Sequence, residues 1–158
     1  MVKNMYIYDT NIGKICIVEN GTEITHLLFK DDSIKEDVII NETPLIKEAK
    51  LQLDDYFSGK RKDFTLTLAP SGTEFQLKVW TALQNIPYGE TKCYSEIAIE
   101  VGNPRASRAV GLANNRNPIS IIIPCHRVIG KSGKLVGYGG GLETKEYLLN
   151  MEKSNTII

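Results

Sequence analysis

The sequence predicts a small α/β domain over residues 1–70, followed by a mostly helical domain over residues 73–158. Strand-forming runs and one helix account for the first part, whereas helical periodicity dominates the second. The tetrapeptide Ala-Pro-Ser-Gly at 69–72 has the composition of a linker. The net charge changes sign at the same point, from −3 over residues 1–72 to +3 over residues 73–158.

The predicted strands rest on β-branched and aromatic content. Residues 14–18 and 24–29 are separated by the turn signal Asn-Gly at 20–21, which predicts a hairpin. Residues 64–68 alternate apolar and polar side chains and predict a further strand. In the second domain, residues 119–124 (Ile-Ser-Ile-Ile-Ile-Pro) are too β-branched and too short for a helix, so a buried strand is predicted.

The predicted helices lie where apolar residues recur at helical spacing next to capping residues. Thr43 is the expected N-cap of the first, with Pro44 at its first helical position, and Ser-Gly at 58–59 ends it. In the second domain the predicted helices span residues 73–83, 94–101, 105–115 and 143–152. A glycine-rich loop precedes the last of them.

The two short helices at 94–101 and 105–115 resemble a helix–turn–helix joined at Gly102-Asn103. The second is rich in small residues, so its surface can approach a duplex closely. It also carries Arg105, Arg108 and Arg116. An ordinary pair of helices with solvated arginines explains this segment equally well, and both interpretations stay open here.

Taken over the whole chain, the charge argues against a nucleic-acid partner, because 19 basic and 19 acidic side chains cancel. The cancellation is uneven, however, since residues 91–134 alone hold seven basic and two acidic side chains. Such asymmetry predicts an anionic partner for the second domain.

Composition also bears on whether the chain is disordered, membrane-spanning, secreted or disulfide-linked. At 42% apolar and 24% charged, the chain is typical of folded domains. No apolar run approaches the roughly 18 residues of a membrane span, and residues 1–6 lack the apolar stretch of a signal peptide. Cys16, Cys93 and Cys125 are an odd number without CxxC spacing, so we expect no disulfide framework and a reducing cytoplasm.

Cys125 is the strongest candidate for chemistry. It lies next to His126 and Arg127 in a basic segment, where a thiolate is favoured. On an extended chain Cys125 and His126 would point in opposite directions, so they need a bend or a bridging water to communicate. A buried inert thiol is the commoner state of a free cysteine, and it is the interpretation that fits Cys16 and Cys93.

Residues 117–128 (Asn-Pro-Ile-Ser-Ile-Ile-Ile-Pro-Cys-His-Arg-Val) closely resemble the signature of the O6-alkylguanine-DNA alkyltransferases, also called methylated-DNA–protein-cysteine methyltransferases. The resemblance extends in the same order over residues 73–152. Its other stretches are 87–90 (Pro-Tyr-Gly-Glu), Tyr94, 103–111 (Asn-Pro-Arg-Ala-Ser-Arg-Ala-Val-Gly) and 138–142 (Tyr-Gly-Gly-Gly-Leu).

The resemblance implies a ribonuclease-H-like α/β domain followed by a winged-helix-like DNA-binding domain that carries the active-site cysteine. It implies a monomeric DNA-repair protein that needs no cofactor and acts once on duplex DNA containing alkylated guanine. The damaged base would flip out of the stack and lose its alkyl group, typically methyl, to Cys125. O4-alkylthymine is an expected second substrate.

The resemblance also implies residue roles. Cys125 would be the attacking thiolate, His126 a base acting through a water, Glu152 the group that orients His126, and Asn117 the residue that holds the turn. Tyr94 would crowd the phosphate and donate toward the guanine ring, and Arg108 would replace the flipped base in the stack. The other expected contacts to DNA and substrate are Arg105, Ala106, Ser107, Val128, Tyr138 and Gly139, with Cys125 and Val128 acting through their carbonyls.

Two features are expected to distinguish this chain. Gly139 stands where other members carry a larger side chain, so alkyl groups larger than methyl are expected to fit. Some members bind zinc in the N-terminal domain, but Cys16 and His26 are too few ligands here, so no metal is expected.

Three other functions compete with this interpretation. A phosphate-binding loop at 130–132 is rejected, because the required first glycine is replaced by Cys125. A cysteine hydrolase needs a distant histidine, and the only other one is His26 in the acidic half. A module that binds lesions without transfer would not need a reactive cysteine.

Overall fold

The computed structural model describes residues 2–29 and 37–156. The chain divides into two compact units, Met1–Ser71 and Gly72–Ile158, called here the first and second unit. Each unit has its own core, and each is described separately.

The first unit is a four-stranded sheet with one helix. Its strands are β1 (Lys3–Thr10), β2 (Gly13–Glu19), β3 (Ile24–Phe29) and β4 (Val38–Ile40), and its helix is α1 (Pro44–Phe57). The strand order is β3-β2-β1-β4, with β1 antiparallel to β2, β2 antiparallel to β3, and β4 parallel to β1.

The predicted hairpin is confirmed as β2–β3. Its connection is the four-residue turn 20–23, in which the Asn20 side chain accepts from the backbone of Thr22 and Glu23. Gly21 takes φ +111°, a left-handed conformation that favours glycine. The predicted helix is also confirmed, and Thr43 accepts from the Ile46 amide at its start.

Two strands of this sheet were not predicted, and one predicted strand is wrong. The missed strands, β1 and β4, are only partly buried, so their apolar pattern is weak. Residues 64–68 form no ladder beyond a single bridge between Ile24 and Leu68. The Gln52 side chain binds the Thr65 amide and hydroxyl instead, and thus takes hydrogen bonds that a strand would need.

The second unit is mostly helical, as predicted. Its elements are α2 (Glu74–Gln84), β5 (Lys92–Cys93), α3 (Tyr94–Glu100), α4 (Ser107–Asn115), a 3₁₀ turn (Cys125–Arg127), β6 (Val128–Ile129), a second 3₁₀ turn (Lys131–Gly133) and α5 (Leu142–Thr156). The short strands β5 and β6 pair in parallel.

The helix predicted at 105–115 starts two residues later than expected. The chain leaves α3 through Gly102, which has φ +84°, and the Ala106 amide then bonds the Asn103 carbonyl. Arg105 is therefore part of this turn, and Ala106 becomes the N-cap of α4. The Ala106 side chain makes no hydrogen bond to the amides at the helix start. Backbone amides at this helix start are therefore available to a ligand.

Candidate active site

The chain reaches Cys125 through two tight turns and not through the predicted strand. The Ile122 amide bonds the Ser120 carbonyl at 2.8 Å around Ile121, whose φ is +71°. The Cys125 amide bonds the Ile123 carbonyl at 2.8 Å around Pro124, with φ −79° and ψ 65°. These are γ-turns of opposite hand, and the first is the rarer, strained one. The prediction of a buried segment at 119–124 is correct, but the prediction of a strand is wrong.

Asn117 holds this turning segment from within. Its side-chain amide donates to the Ile123 carbonyl at 2.8 Å, and its side-chain oxygen accepts from the Ile119 amide at 3.0 Å. A β-branched residue with positive φ, such as Ile121, costs about 1–3 kcal/mol. The two bonds of Asn117 and the burial of the isoleucines offset that cost and fix where Cys125 lies.

His126, Arg127 and Glu152 form a buried, hydrogen-bonded cluster. His126 Nε2 lies 2.7 Å from Glu152 Oε2, to which Arg127 Nη2 also donates at 3.1 Å. Arg127 Nε donates to Glu152 Oε1 at 2.8 Å. The Gly89 amide adds a fourth contact to the carboxylate at 3.2 Å. Arg127 Nη1 donates to the Ile86 carbonyl at 2.7 Å. The carboxylate thus uses about four acceptor sites, which is its full capacity.

These contacts decide the charges of the cluster. Burial alone would raise the pKa of Glu152, but the hydrogen bonds from His126 and Arg127, together with the charge of Arg127, outweigh it and lower that pKa to about 2. Burial lowers the pKa of His126, against the pull of Glu152. At neutral pH Glu152 is therefore ionised and His126 neutral. Because Nε2 must then donate to the carboxylate, this assigns the ring proton to Nε2 and the lone pair to Nδ1.

The Cys125 thiol is 4% exposed, and burial raises its pKa. The polar side chains of Asn117 and Ser120 and the positive charge of Lys145 act in the opposite direction. Arg127, which the sequence suggested as the favourable neighbour, binds Glu152 instead. The positive charge that acts on the thiol comes from Lys145.

Two tyrosines border the same space. Tyr94 opens α3, and its hydroxyl donates to the Val136 carbonyl at 3.2 Å. Tyr138 lies in the loop before α5, with its ring edge-on to His126 at 6.5 Å between centroids. Burial, followed by the charge of Cys125, raises the pKa of both tyrosines, so both remain protonated donors at neutral pH.

The other predicted contacts fall into two places. Arg105, Ala106, Ser107 and Arg108 lie at the start of α4, and both arginines are exposed. Val128 is buried directly after the Cys125 turn. Gly139 lies exposed in the loop beside Tyr138, and an ideal Cβ there would have nothing within 4 Å.

Sequence reasoning missed Lys145, Asn114 and the bonding of Arg127. Asn114 is 2% exposed and donates to the Cys125 carbonyl at 3.4 Å. A signal for Lys145 was present, because Lys145, Leu148 and Glu152 share one helix face at spacings of three and four. Placing Glu152 in the site should have placed Lys145 near it.

Over residues 2–29 and 37–156, no three His, Cys, Asp or Glu side chains cluster in a way that could hold a metal ion. Within the same residues, no helix is long and apolar enough to cross a membrane.

The fold and the site define a two-unit protein in which a helix–turn–helix unit carries a buried free cysteine. Residues 74–154 match the DNA binding domain of 6-O-methylguanine DNA methyltransferase, and residues 4–70 match the ribonuclease-like domain of the same proteins. The chain therefore belongs to the 6-O-methylguanine DNA methyltransferase family.

Relatives and solved structures agree over nearly the whole chain. A methylated-DNA–protein-cysteine methyltransferase of Methanosarcina barkeri is 55% identical and covers 94% of this chain and 96% of its own length. The constitutive one of Bacillus subtilis is 49% identical, with 92% of each chain covered. The crystal structure of Mycobacterium tuberculosis OGT in complex with DNA superposes with a TM-score of 0.91 at 46% identity, covering 96% of this chain and 94% of the other.

Proposed function

We propose that the protein repairs DNA by moving an alkyl group, typically methyl, from guanine O6 in duplex DNA to the sulfur of Cys125. O4-alkylthymine is included as a second substrate. The observation that carries the proposal is a buried cysteine beside a His126–Glu152 pair, in a unit that matches the family's DNA binding domain. The names of the relatives at 55% and 49% identity support it.

The transfer balances without a further reactant. The Cys125 sulfur forms a bond to the alkyl carbon while the bond between that carbon and O6 breaks. The electron pair of the broken bond remains on guanine. The proton released by the thiol is then transferred to that guanine, which restores the neutral nucleobase. A thioether resists hydrolysis, so each protein molecule reacts once.

The cluster suits this chemistry because it can take the thiol proton. With the ring proton of His126 on Nε2, the Nδ1 lone pair accepts a proton from Cys125 through a water. Glu152 holds the ring in that tautomer, while Arg127 balances the carboxylate. Asn117 keeps the cysteine turn in place for attack.

The site requires the target base to leave the duplex. Because Cys125 is 4% exposed, a base within the stack cannot reach the sulfur, which supports base flipping. Tyr94 and Tyr138 are protonated donors that can meet charge developing on the departing guanine. Arg108 is exposed on α4, where its planar guanidinium can fill the vacated stack.

Around the flipped base, the Cys125 and Val128 carbonyls would accept from the guanine edge. The Gly139 amide would approach O6. Along the groove, Arg105, Ala106 and Ser107 would contact the duplex through charge, close approach and the free amides at the start of α4.

The test is to mix the protein with duplex DNA that contains O6-methylguanine and to weigh the Cys125 peptide. We expect a gain of one methyl group, at most one per molecule, which is absent in Cys125→Ser and retained in Cys93→Ser. Binding without a mass gain would favour a lesion-binding module, and repeated turnover would favour a hydrolase. Either outcome contradicts the proposal.

The range of alkyl groups is proposed to depend on Gly139. The open space around its Cβ position leaves room for groups larger than methyl. Gly139→Trp should therefore slow transfer from O6-benzylguanine DNA by at least about tenfold, and slow methyl transfer much less. If the native protein reacts with benzylguanine DNA no faster than the variant, this part of the proposal is wrong.

A further inference from the structure

Lys145 is the one lysine with a side chain fully buried among the residues that the structure describes. Lysine almost never occupies such a position unless its charge is compensated. It lies two turns before Glu152 on the buried face of α5, which packs against the Cys125–Arg127 turn. Burial lowers the pKa of the Lys145 ammonium group, and the charge of Cys125 opposes that shift.

The ammonium group has two direct acceptors, both in the loop before Tyr138. Lys145 Nζ donates to the Val136 carbonyl at 2.8 Å and to the Gly137 carbonyl at 3.3 Å. Over residues 2–29 and 37–156, no carboxylate lies within ion-pair distance of it. Carbonyl dipoles alone leave a buried positive charge uncompensated. Cys125 lies in the turn against which α5 packs, so its thiolate form is the anion that would complete the balance.

The same loop is held from two other helices. Tyr94 of α3 shares the Val136 carbonyl, donating at 3.2 Å. The Asn115 side chain at the end of α4 lies against Gly137. Lys145 keeps its own bond to the shared carbonyl if Tyr94 turns toward a substrate, so the loop stays bonded during the reaction.

We propose that Lys145 is a positioning residue of the transfer site, whose ammonium group holds the Val136–Gly137 carbonyls and stabilises the negative charge of the Cys125 thiolate. The first role fixes Tyr138 and Gly139, which follow directly in the chain. The second supplies a positive charge that no other group around the thiol offers among the described residues. The consequence for DNA repair rests on the proposed function, but the electrostatic role does not.

The other titratable groups around the thiol do not supply this charge. They are Tyr94 from α3, His126 from the cysteine turn, Tyr138 from the loop, and Glu152 from α5. Both tyrosines and the histidine are neutral at pH 7. Glu152 is negative and is matched by Arg127.

The test compares Lys145→Met with Lys145→Arg and with Lys153→Met, an exposed lysine on the same helix. Iodoacetamide reacts with each variant over a range of pH, and the mass of the Cys125 peptide gives the rate. In this reaction the thiol loses its proton to solvent, sulfur bonds carbon, and iodide leaves. Lys145→Met should move the midpoint up by at least one pH unit, a roughly tenfold slower reaction at neutral pH.

Lys145→Arg keeps the positive charge, so its pH midpoint should lie close to the native value. Lys153→Met should leave the midpoint unchanged. A folded Lys145→Met with the native midpoint would overturn the electrostatic role. Unchanged methyl transfer from DNA by Lys145→Met would overturn the positioning role. The iodoacetamide reaction needs no DNA, so failure of the proposed function is seen separately, as a native protein that takes no methyl group.

A second measurement leaves Lys145 intact. The pKa of its ammonium group, followed by NMR, should be lower in Cys125→Ser than in the native protein, because coupling between two sites is reciprocal. Equal values in the two proteins would also overturn the electrostatic role, even if Lys145→Met does not fold.

Discussion

The two units bury different kinds of side chain. The core of the first unit is built from apolar residues such as Ile17 and Leu53, and its buried carboxylate, Glu19, accepts from Asn4 and Gly21. The second unit places an imidazole, a guanidinium, an ammonium and a carboxylate in its interior, namely His126, Arg127, Lys145 and Glu152.

This difference separates stability from chemistry. An apolar core stabilises a unit through area removed from water. A buried ion pair stabilises a protein weakly or not at all relative to apolar packing. Removing one partner of the pair is nevertheless strongly destabilising, because the other charge is left buried and uncompensated. We therefore expect the buried polar groups of the second unit to matter more for the position and charge of Cys125 than for stability. Substitutions in the two interiors should then differ in what they change, and not only in how much.

The largest effect is expected for Glu152→Gln. Glutamine keeps one acceptor but leaves the Arg127 charge buried without its partner, which costs about 3–5 kcal/mol of unfolding free energy. Chemical denaturation measures the loss. Glu146→Gln, exposed on the same helix, is the control and should change it by less than about 0.5 kcal/mol. A loss of similar size in both variants would refute the role of the cluster.

Leu53→Ala probes the apolar interior of the first unit. Leu53 is fully buried on α1, so its truncation should cost about 2–5 kcal/mol. The pH midpoint of the Cys125 reaction with iodoacetamide should nevertheless stay at the native value. A shifted midpoint would break the separation between the two interiors.

The stability of the protein at acid pH should also depend on the cluster of His126, Arg127 and Glu152. The pKa of Glu152 falls from an ordinary 4.5 to about 2 in the folded protein. The folded state therefore binds fewer protons than the unfolded state in this range, and its stability declines as the pH falls. This carboxylate contributes on the order of 3 kcal/mol to the free energy of unfolding above pH 4.5, and the contribution is lost as the pH falls through about 2. Denaturation of the native protein and of Glu152→Gln at several pH values gives both free energies of unfolding. Their difference should shrink over that pH range, and a constant difference would contradict a lowered pKa of Glu152.

Local signals were sufficient for much of the fold. Thr43 marks a helix start because capping is decided within one turn of the chain. The hairpin around Asn20-Gly21 follows from turn chemistry in the same way. Many elements with short-range causes were therefore predictable. The exceptions are β1, which pairs with β2 across the short turn at 11–12 but is only partly buried, and the start of α4, where the turn at Asn103 delays the helix.

The cysteine turn and the charged interior have long-range causes. Ile119–Ile123 has the composition of a strand, and only the side-chain bonds of Asn117 turn it around Ile121. Residue types and resemblance named Cys125, His126 and Glu152, but periodicity cannot say that Lys145 is buried or that Arg127 binds Glu152. Those facts depend on how α5 packs against the cysteine turn.

The smallest effects test whether the units differ only in their interiors. Thr43→Ala in the first unit and Thr73→Ala in the second each remove a side-chain bond to a helix amide, to Ile46 and Gln76 respectively. Both should cost about 1 kcal/mol. Thr73→Ala should cost slightly more, because the Gln76 side chain returns a bond to the Thr73 amide and loses its ordered partner. Hydrogen exchange of the first-turn amides measures both losses locally, and neither variant should alter the rate at which Cys125 reacts with iodoacetamide. If Thr73→Ala did slow that reaction, the charged cluster would depend on the start of α2, and the separation of chemistry from ordinary helix stability within the second unit would fail.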